Sequence, residues 1–107
     1  MNYKTGKYYT PYGDLGETTE SLEQKITIDS NGFLDSYNDD PAIDYFNGRM
    51  MKLLYYQHGY LHRETGPSII VDHMYVPKES FYLNGVNLSK EEYEIRMNRK
   101  TMLEEIL

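Results

Sequence analysis

Three segments of the chain can be laid over one another. KITIDSNGFL ends at Leu34, LLYYQHGYL at Leu61 and SFYLNGVNL at Leu88. Each is a β-like run, a turn residue, Gly, one or two further residues and Leu. Gly32, Gly59 and Gly85 lie 27 and 26 positions apart (59 − 32 and 85 − 59). A second recurring piece, PAIDYFNG from Pro41 and PSIIVDHMY from Pro67, falls between them. So regular a period marks a repeated supersecondary unit, in which neighbouring units bury one another's apolar surface.

The unit reads as paired strands. Asn31-Gly32, Asn47-Gly48 and Asn84-Gly85 are turn dipeptides that tolerate positive φ, and His58-Gly59 stands in the same place. Pro41 and Pro67 each start a strand, where a missing N–H does least harm. The expected fold is mainly β with a C-terminal helix (α+β). An antiparallel meander of five or six short strands, built of repeated β-hairpins, should run from about Lys25 to Leu83.

At Ser89 the pattern changes. Ser89 and Glu92 form an S-x-x-E capping box, and Leu88 can staple against Tyr93. Ile95, Met102, Leu103 and Ile106 then share one face of an amphipathic helix. The chain therefore divides, within a single domain, into three parts. Residues 1–24 are a loosely ordered arm with a helical turn near Thr19–Gln24, residues 25–88 the β-repeat domain, and residues 89–107 a capping helix. Two repeats and a helix leave a strand edge open, which favours a homodimer.

Composition narrows the function classes. Without cysteine there are no disulfides, thiolate nucleophiles or Cys-ligated zinc. A net charge of −6 opposes direct nucleic-acid binding, which needs clustered Lys and Arg. No apolar run approaches twenty residues, so no membrane span is expected. MNYKTGKYYTPYG has no apolar core and does not read as a secretory signal, so the expected location is the cytoplasm. The acid is uneven: residues 25–50 hold Asp29, Asp35, Asp39, Asp40 and Asp44 against Lys25 and Arg49, whereas residues 51–88 are balanced.

Gly59-Tyr60-Leu61-His62-Arg63-Glu64-Thr65-Gly66-Pro67, with the later Tyr82-Leu83-Asn84-Gly85 and Leu88-Ser89-Lys90-Glu91-Glu92-Tyr93, resembles MORN-like repeat proteins, best known from tailed phages, giant viruses and some bacteria. The resemblance covers about two-thirds of the chain. It implies a repeat fold and a viral source, and no particular chemistry. The first repeat departs from the pattern, with Asp35-Ser36-Tyr37-Asn38-Asp39-Asp40 before Pro41 and Asp40 in the place of Gly66. A degenerate copy is where a repeat protein acquires a surface of its own.

Four groups of residues are candidates for function. His62, Arg63 and Glu64 read as a structural clasp: Arg63 can pair bidentately with a carboxylate of the adjoining hairpin, and His62 can bond a backbone carbonyl. Catalysis there would need a nucleophile or activated water, and no Ser or Lys is placed by spacing to supply one. His58, His62 and His73, with Asp72, have donor chemistry but match no metal-binding spacing, so neither metal nor cofactor is expected. Asp35, Asp39, Asp40 and Asp44 admit three readings: a partial calcium loop, a solvated turn, or a negative patch that imitates a phosphate backbone and docks on a basic groove. Finally, Leu53 and Tyr55 point to one face of their strand, Leu54 and Tyr56 to the other. A single-layer sheet should therefore show some of Tyr55, Tyr56 and Tyr60 to a partner.

The expected function is a non-enzymatic protein-binding module. By analogy with small acidic phage proteins, its partner would be a nuclease or other nucleic-acid-binding complex of bacterial defence, such as a CRISPR nuclease. Two rivals stay open. One is a sponge for a nucleotide signal, using His62, Arg63 and Lys78. The other is a purely structural repeat protein or a histidine-dependent hydrolase.

Overall fold

The computed structural model describes residues 6–13, 15–18, 24–46, 48–73 and 76–106. Ten strands and one helix follow in order: β1 (Gly6–Tyr9), β2 (Leu15–Thr18), β3 (Gln24–Ile26), β4 (Ile43–Phe46), β5 (Met50–Leu54), β6 (Tyr56–Gln57), β7 (Tyr60–Leu61), β8 (Ile69–His73), β9 (Val76–Leu83), β10 (Val86–Leu88) and α1 (Lys90–Ile106). The fold is a six-stranded antiparallel sheet in the order β10-β9-β8-β5-β4-β3, with the single helix at its end. Hairpins β1–β2 and β6–β7 stand apart from it. The meander thus begins at Gln24 and reaches Leu88, five residues beyond the expected end at Leu83. No helix among the described residues is long and apolar enough to cross a membrane.

Two of the four expected turn dipeptides form with both residues left-handed, Asn31-Gly32 turns with only Gly32 at positive φ, and Asn47 lies outside the described residues. His58 and Gly59 have φ of 48° and 91°, and Asn84 and Gly85 have 50° and 82°. Two successive left-handed residues make the tight turn whose twist matches the flanking strands. The second unit follows the first at an offset of 26: β9 runs unbroken from residue 76 to 83, the length that β5 and β6 share from 50 to 57. Seams between units recur as well. Gly59 N–H donates to Leu34 O (2.7 Å) and Gly85 N–H donates to Leu61 O (2.8 Å). Over each seam an aromatic ring of one unit lies on the glycine of the next, Phe33 on Gly59 and Tyr60 on Gly85, where a Cβ would stand 3.0 Å and 2.9 Å from the ring. Glycine is required there both for its positive φ and for that close approach.

One row of the sheet carries most of the burial. Extending the Ile43–Leu54–Ile69–Ser80 register by one residue aligns Ala42, Tyr55, Ser68 and Phe81, and Phe81 pairs with Leu88. All five are buried. Ser68 sits in this apolar row because its hydroxyl donates to Tyr82 O (3.0 Å) and accepts from Tyr82 N–H (3.1 Å). A second cluster joins Leu34, Ala42 and Ile43 to Tyr8, Ile26, Leu54 and Tyr56. Elsewhere the sheet is a single layer. The radius of gyration is 15.0 Å, against roughly 13 Å for a compact chain of this length.

Three expectations need correction. Within residues 1–24, read as a loosely ordered arm, β1 and β2 pair from Gly6–Thr18 to Tyr9–Leu15 around a turn with Gly13 at φ 91°. Four-residue strands without clear alternation gave no periodic signal there. Of the helical turn near Thr19–Gln24, residues 19–23 lie outside the described residues and Gln24 opens β3. Tyr55 and Tyr56 are not offered to a partner. Tyr55 is buried, and burial together with the nearby Tyr8 and Tyr82 pushes the Tyr56 hydroxyl up to about 12.

The helix is the third correction. Its capping box closes in both directions, Glu92 N–H to Ser89 Oγ (3.1 Å) and Ser89 N–H to Glu92 Oε1 (3.3 Å). Leu88, Phe81 and Tyr93 form one cluster, with Leu83 and Met97 against it. The docked face therefore runs through Tyr93 and Met97, one turn apart. Ile95 and Met102 lie roughly opposite on the helix wheel, and with Leu103 they are exposed. The side chain of Ile106 is outside the described residues. Of the apolar set expected to cap the sheet, Ile95, Met102 and Leu103 are turned to solvent.

Candidate functional site

The first-repeat loop 35–40 and the second-repeat segment 62–66 fold against each other. Asn38 and Asp39 both adopt left-handed φ (56° and 60°), a conformation Asn and Asp tolerate through local hydrogen bonds. This turns the Asp39 carboxylate toward Arg63. Arg63 Nε donates to Asp39 Oδ1 (3.1 Å) and Nη2 to Oδ2 (3.2 Å), a two-point fork across 24 positions of sequence. Nη1 donates to Pro67 O (3.2 Å), and Nε also reaches Thr65 Oγ1 (3.2 Å). Thr65 in turn donates to Asp39 Oδ1 (2.8 Å). The guanidinium lies 3.8 Å from the centroid of the Tyr55 ring, which it covers. Gly66 leaves room for it: a Cβ there would meet Nη1 at 3.2 Å. Beside Arg63, with Thr65 adding a bond, the Asp39 carboxyl is held below its ordinary value.

His62 and Glu64 extend the clasp to the helix. Asn84 N–H donates to His62 Nδ1 (3.0 Å), so the ring carries its proton on Nε2, which faces Glu64 Oε2 at 3.1 Å. Glu64 also pairs with Lys100 of α1. Tyr93 adds a second tie, its hydroxyl donating to Arg63 O (2.7 Å) and accepting from Gly66 N–H (3.1 Å). The trio is bonded as a clasp among three parts of the chain. Its histidine accepts from a backbone N–H, where a bond to a backbone carbonyl was expected. Both ring nitrogens of His62 are occupied, and every nitrogen of Arg63 donates within the molecule.

The acidic residues divide into two pairs. Asp39 belongs to the clasp, and Asp35 accepts from His58 N–H (3.0 Å). Asp40 and Asp44 are exposed. They line a recess of about 320 Å³ with Lys25, Thr27, Tyr37 and Pro41, in which Lys25 is the cross-strand partner of Asp44. Tyr37 is 71% exposed. Ser36 takes the place that Arg63 has in the second repeat: Ser36 N–H donates to Tyr56 O as Arg63 N–H donates to Tyr82 O, and Asp35 accepts from His58 N–H as His62 Nδ1 accepts from Asn84 N–H. Tyr37 lies where the first repeat is one residue longer, from Leu34 to Pro41 against Leu61 to Pro67, and sequence reasoning did not single it out. Asp29, also missed, accepts from Asn31 and Phe33 N–H and meets His58 Nδ1 at 2.9 Å. Tyr60 stays partly exposed on the β6–β7 hairpin. Among the described residues, no three His, Cys, Asp or Glu side chains gather as a metal site.

The two histidines near the site titrate in opposite directions from their ordinary value of 6.5. Bonding to Asp29, and then the Asp35 charge, raise His58, whereas burial and then the Lys100 charge lower His62. For His58 the folded pKa exceeds the unfolded one, so its contribution is complete below pH 6.5 and fades as pH rises through the folded pKa. For His62 the contribution is complete above pH 6.5 and is lost as pH falls toward its folded pKa. An NMR titration of the imidazole protons is expected to place the two midpoints on opposite sides of 6.5. Coincident midpoints would contradict this arrangement of bonds.

The fold and its clasp define a helix-capped β-meander of recurring hairpin units, tied by an ion pair between successive units. No known family model, curated protein or solved structure matches the chain.

Proposed function

We propose that the protein is a protein-binding module that docks on a basic surface of its partner through the first-repeat recess. The observation carrying this reading is Tyr37, largely exposed beside the exposed carboxylates of Asp40 and Asp44, on a loop the Arg63–Asp39 pair holds in place. Tyrosine is a usual interface anchor, offering a large rigid surface with little rotamer entropy to lose. A fixed loop likewise has little left to order on binding. Neighbouring carboxylates would steer a cationic partner toward the recess. The departure of the first repeat from the His-Arg-Glu-x-Gly-Pro pattern supports the same reading, because its loop is one residue longer between Leu34 and Pro41 and carries Tyr37 and Asp40 there. With the resemblance to MORN-like repeat proteins of phages, a host nuclease or other nucleic-acid-binding complex is the partner class that fits.

The test must leave the clasp intact, so Asp35 and Asp39 stay unchanged. A partner captured from bacterial lysate by the wild type should associate roughly fivefold or more slowly with the Asp40→Asn/Asp44→Asn variant. Its affinity for the wild type should fall steeply between about 0.05 and 0.3 M salt. Tyr37→Ala should chiefly speed dissociation. Unchanged kinetics in both variants would remove the recess as the docking surface.

A further inference from the structure

The turn glycines of the three units stand in line, and the loop between β1 and β2 lies along them. The Tyr9 ring rests on Gly32, where a Cβ would come within 2.8 Å of it. Pro11 Cδ would be 3.0 Å from a Cβ on Gly59, and the Tyr12 hydroxyl 3.7 Å from one on Gly85. The Tyr12 ring also meets Tyr60 edge-on, with centroids 6.1 Å apart. Residues 9, 11 and 12 thus visit glycines 32, 59 and 85 in order. An aromatic, a proline and a second aromatic cross a floor made of glycine backbone and walled by Tyr60.

Tyr9 ties this strap to the floor. Tyr9 N–H donates to Gly32 O (2.8 Å), and Tyr9 forms one isolated bridge with Phe33. Strands β1 and β2 pair only with each other among the described residues. Tyr9 is 53% exposed and Tyr12 76%. Largely exposed rings, in a hairpin outside the six-stranded sheet, mark an element that opens at lower free energy than the sheet itself. A cavity of about 210 Å³ remains beside the strap, lined by Tyr8, Tyr56, Leu61, Gly59 and Gly85.

We propose that the glycine ladder is a docking groove for an extended proline- and tyrosine-bearing segment of a partner protein, and that the Tyr9–Tyr12 strap occupies it in cis. The chemistry of the guest is given by the strap itself. A proline-bearing extended segment is already close to its bound conformation and loses little entropy on docking. Tyrosine rings fit a groove whose floor is glycine backbone and whose sides are the rings of Phe33 and Tyr60. A cis occupant lowers the apparent affinity for a guest by the fraction of time the groove stands open. None of these residues lines the acidic recess, so the groove is a second surface, independent of the function proposed above.

The synthetic peptide Lys-Tyr-Tyr-Thr-Pro-Tyr-Gly, the sequence of residues 7–13, is the probe. Added to the full-length chain, it should shift the amide signals of Gly32, Gly59, Tyr60 and Gly85 and leave those of Asp40 and Asp44 in place. The full-length Pro11→Ala/Tyr12→Ala variant, its strap weakened, should bind the peptide about fivefold or more tightly than the wild type. The same peptide with alanine for its proline and last tyrosine should not bind. If the double variant fails to fold, Tyr12→Ala carries the same comparison, since that ring is mostly in solvent. Absence of shifts at the glycines in wild type and variant at about 1 mM peptide would overturn the proposal, as would equal affinity of the two. A wild-type dimer that the strap variant does not form would also overturn it, because the guest would then be the strap of a second copy.

Discussion

Replacing Arg63 by alanine is expected to lower the unfolding free energy by about 2–3 kcal/mol, a fall in melting temperature on the order of 10 °C for a domain of this size. Most of the loss comes from the covered side of the guanidinium. Pro67 O loses its donor, and the buried Tyr55 ring loses the group that shields it. The ion pair itself contributes less, because the Asp39 side chain is 48% exposed and its charge is well solvated. Asp39→Asn should therefore destabilise by only about 1 kcal/mol or less. Arg63→Lys should recover little, since an ammonium can neither lie flat on Tyr55 nor fork onto a carboxylate. Thermal unfolding of the three variants tests the order. An Arg63→Ala melting temperature equal to the wild type would show that the clasp does not hold the fold, and would return Arg63 to consideration as a ligand-binding residue.

Tyr93→Ala should be at least as damaging, at about 3–4 kcal/mol. The ring packs on Phe81 with centroids 4.8 Å apart, and its hydroxyl serves two backbone groups of the 63–66 segment. Its removal opens a cavity at the sheet end and leaves Arg63 O and Gly66 N–H unpaired. Tyr93→Phe separates the two effects: it keeps the packing and should lose about 1–2 kcal/mol. With the anchor gone, the helix retains Met97 and the Lys100–Glu64 pair against the sheet, too little to dock it. Circular dichroism should then show helical signal melting before the sheet. A single coincident transition at the wild-type temperature would contradict this account.

Local chemistry was legible in the sequence, and long-range pairing was not. The His58-Gly59 and Asn84-Gly85 turns, the capping box and the Leu88–Tyr93 staple are contacts within about five residues, and each formed as read. Arg63 was expected to find a carboxylate on the adjoining hairpin, and it did. That the carboxylate was Asp39, one of the four assigned to a binding face, depends on how loop 35–40 turns through two left-handed residues. The clasp and the acidic patch, read as separate features, share Asp39, and with Asp35 accepting from His58 N–H the carboxylates available for docking are halved. Strand alternation put Tyr55 and Tyr56 on opposite faces correctly. It could not foresee that Arg63 would cover one and the Tyr8 cluster the other. In the helix, Ile95 and Met102 recur as a core stripe would, yet Tyr93 had two backbone partners and an aromatic neighbour that they lacked.

Both seams between units use the same three groups: a leucine carbonyl, a glycine N–H and an aromatic ring resting on that glycine. The stretch from Gly59 to Asn84 therefore carries both halves of a seam near its start, the Gly59 N–H that faces the preceding unit and the Tyr60 ring and Leu61 carbonyl that receive the next glycine. An in-frame tandem duplication of those 26 residues would meet at each junction a partner of the kind already present. Chain length can thus grow by copying while the helix remains the terminator after the last unit. Gene duplication alone, without repacking of the interior, would give a longer member of the same architecture.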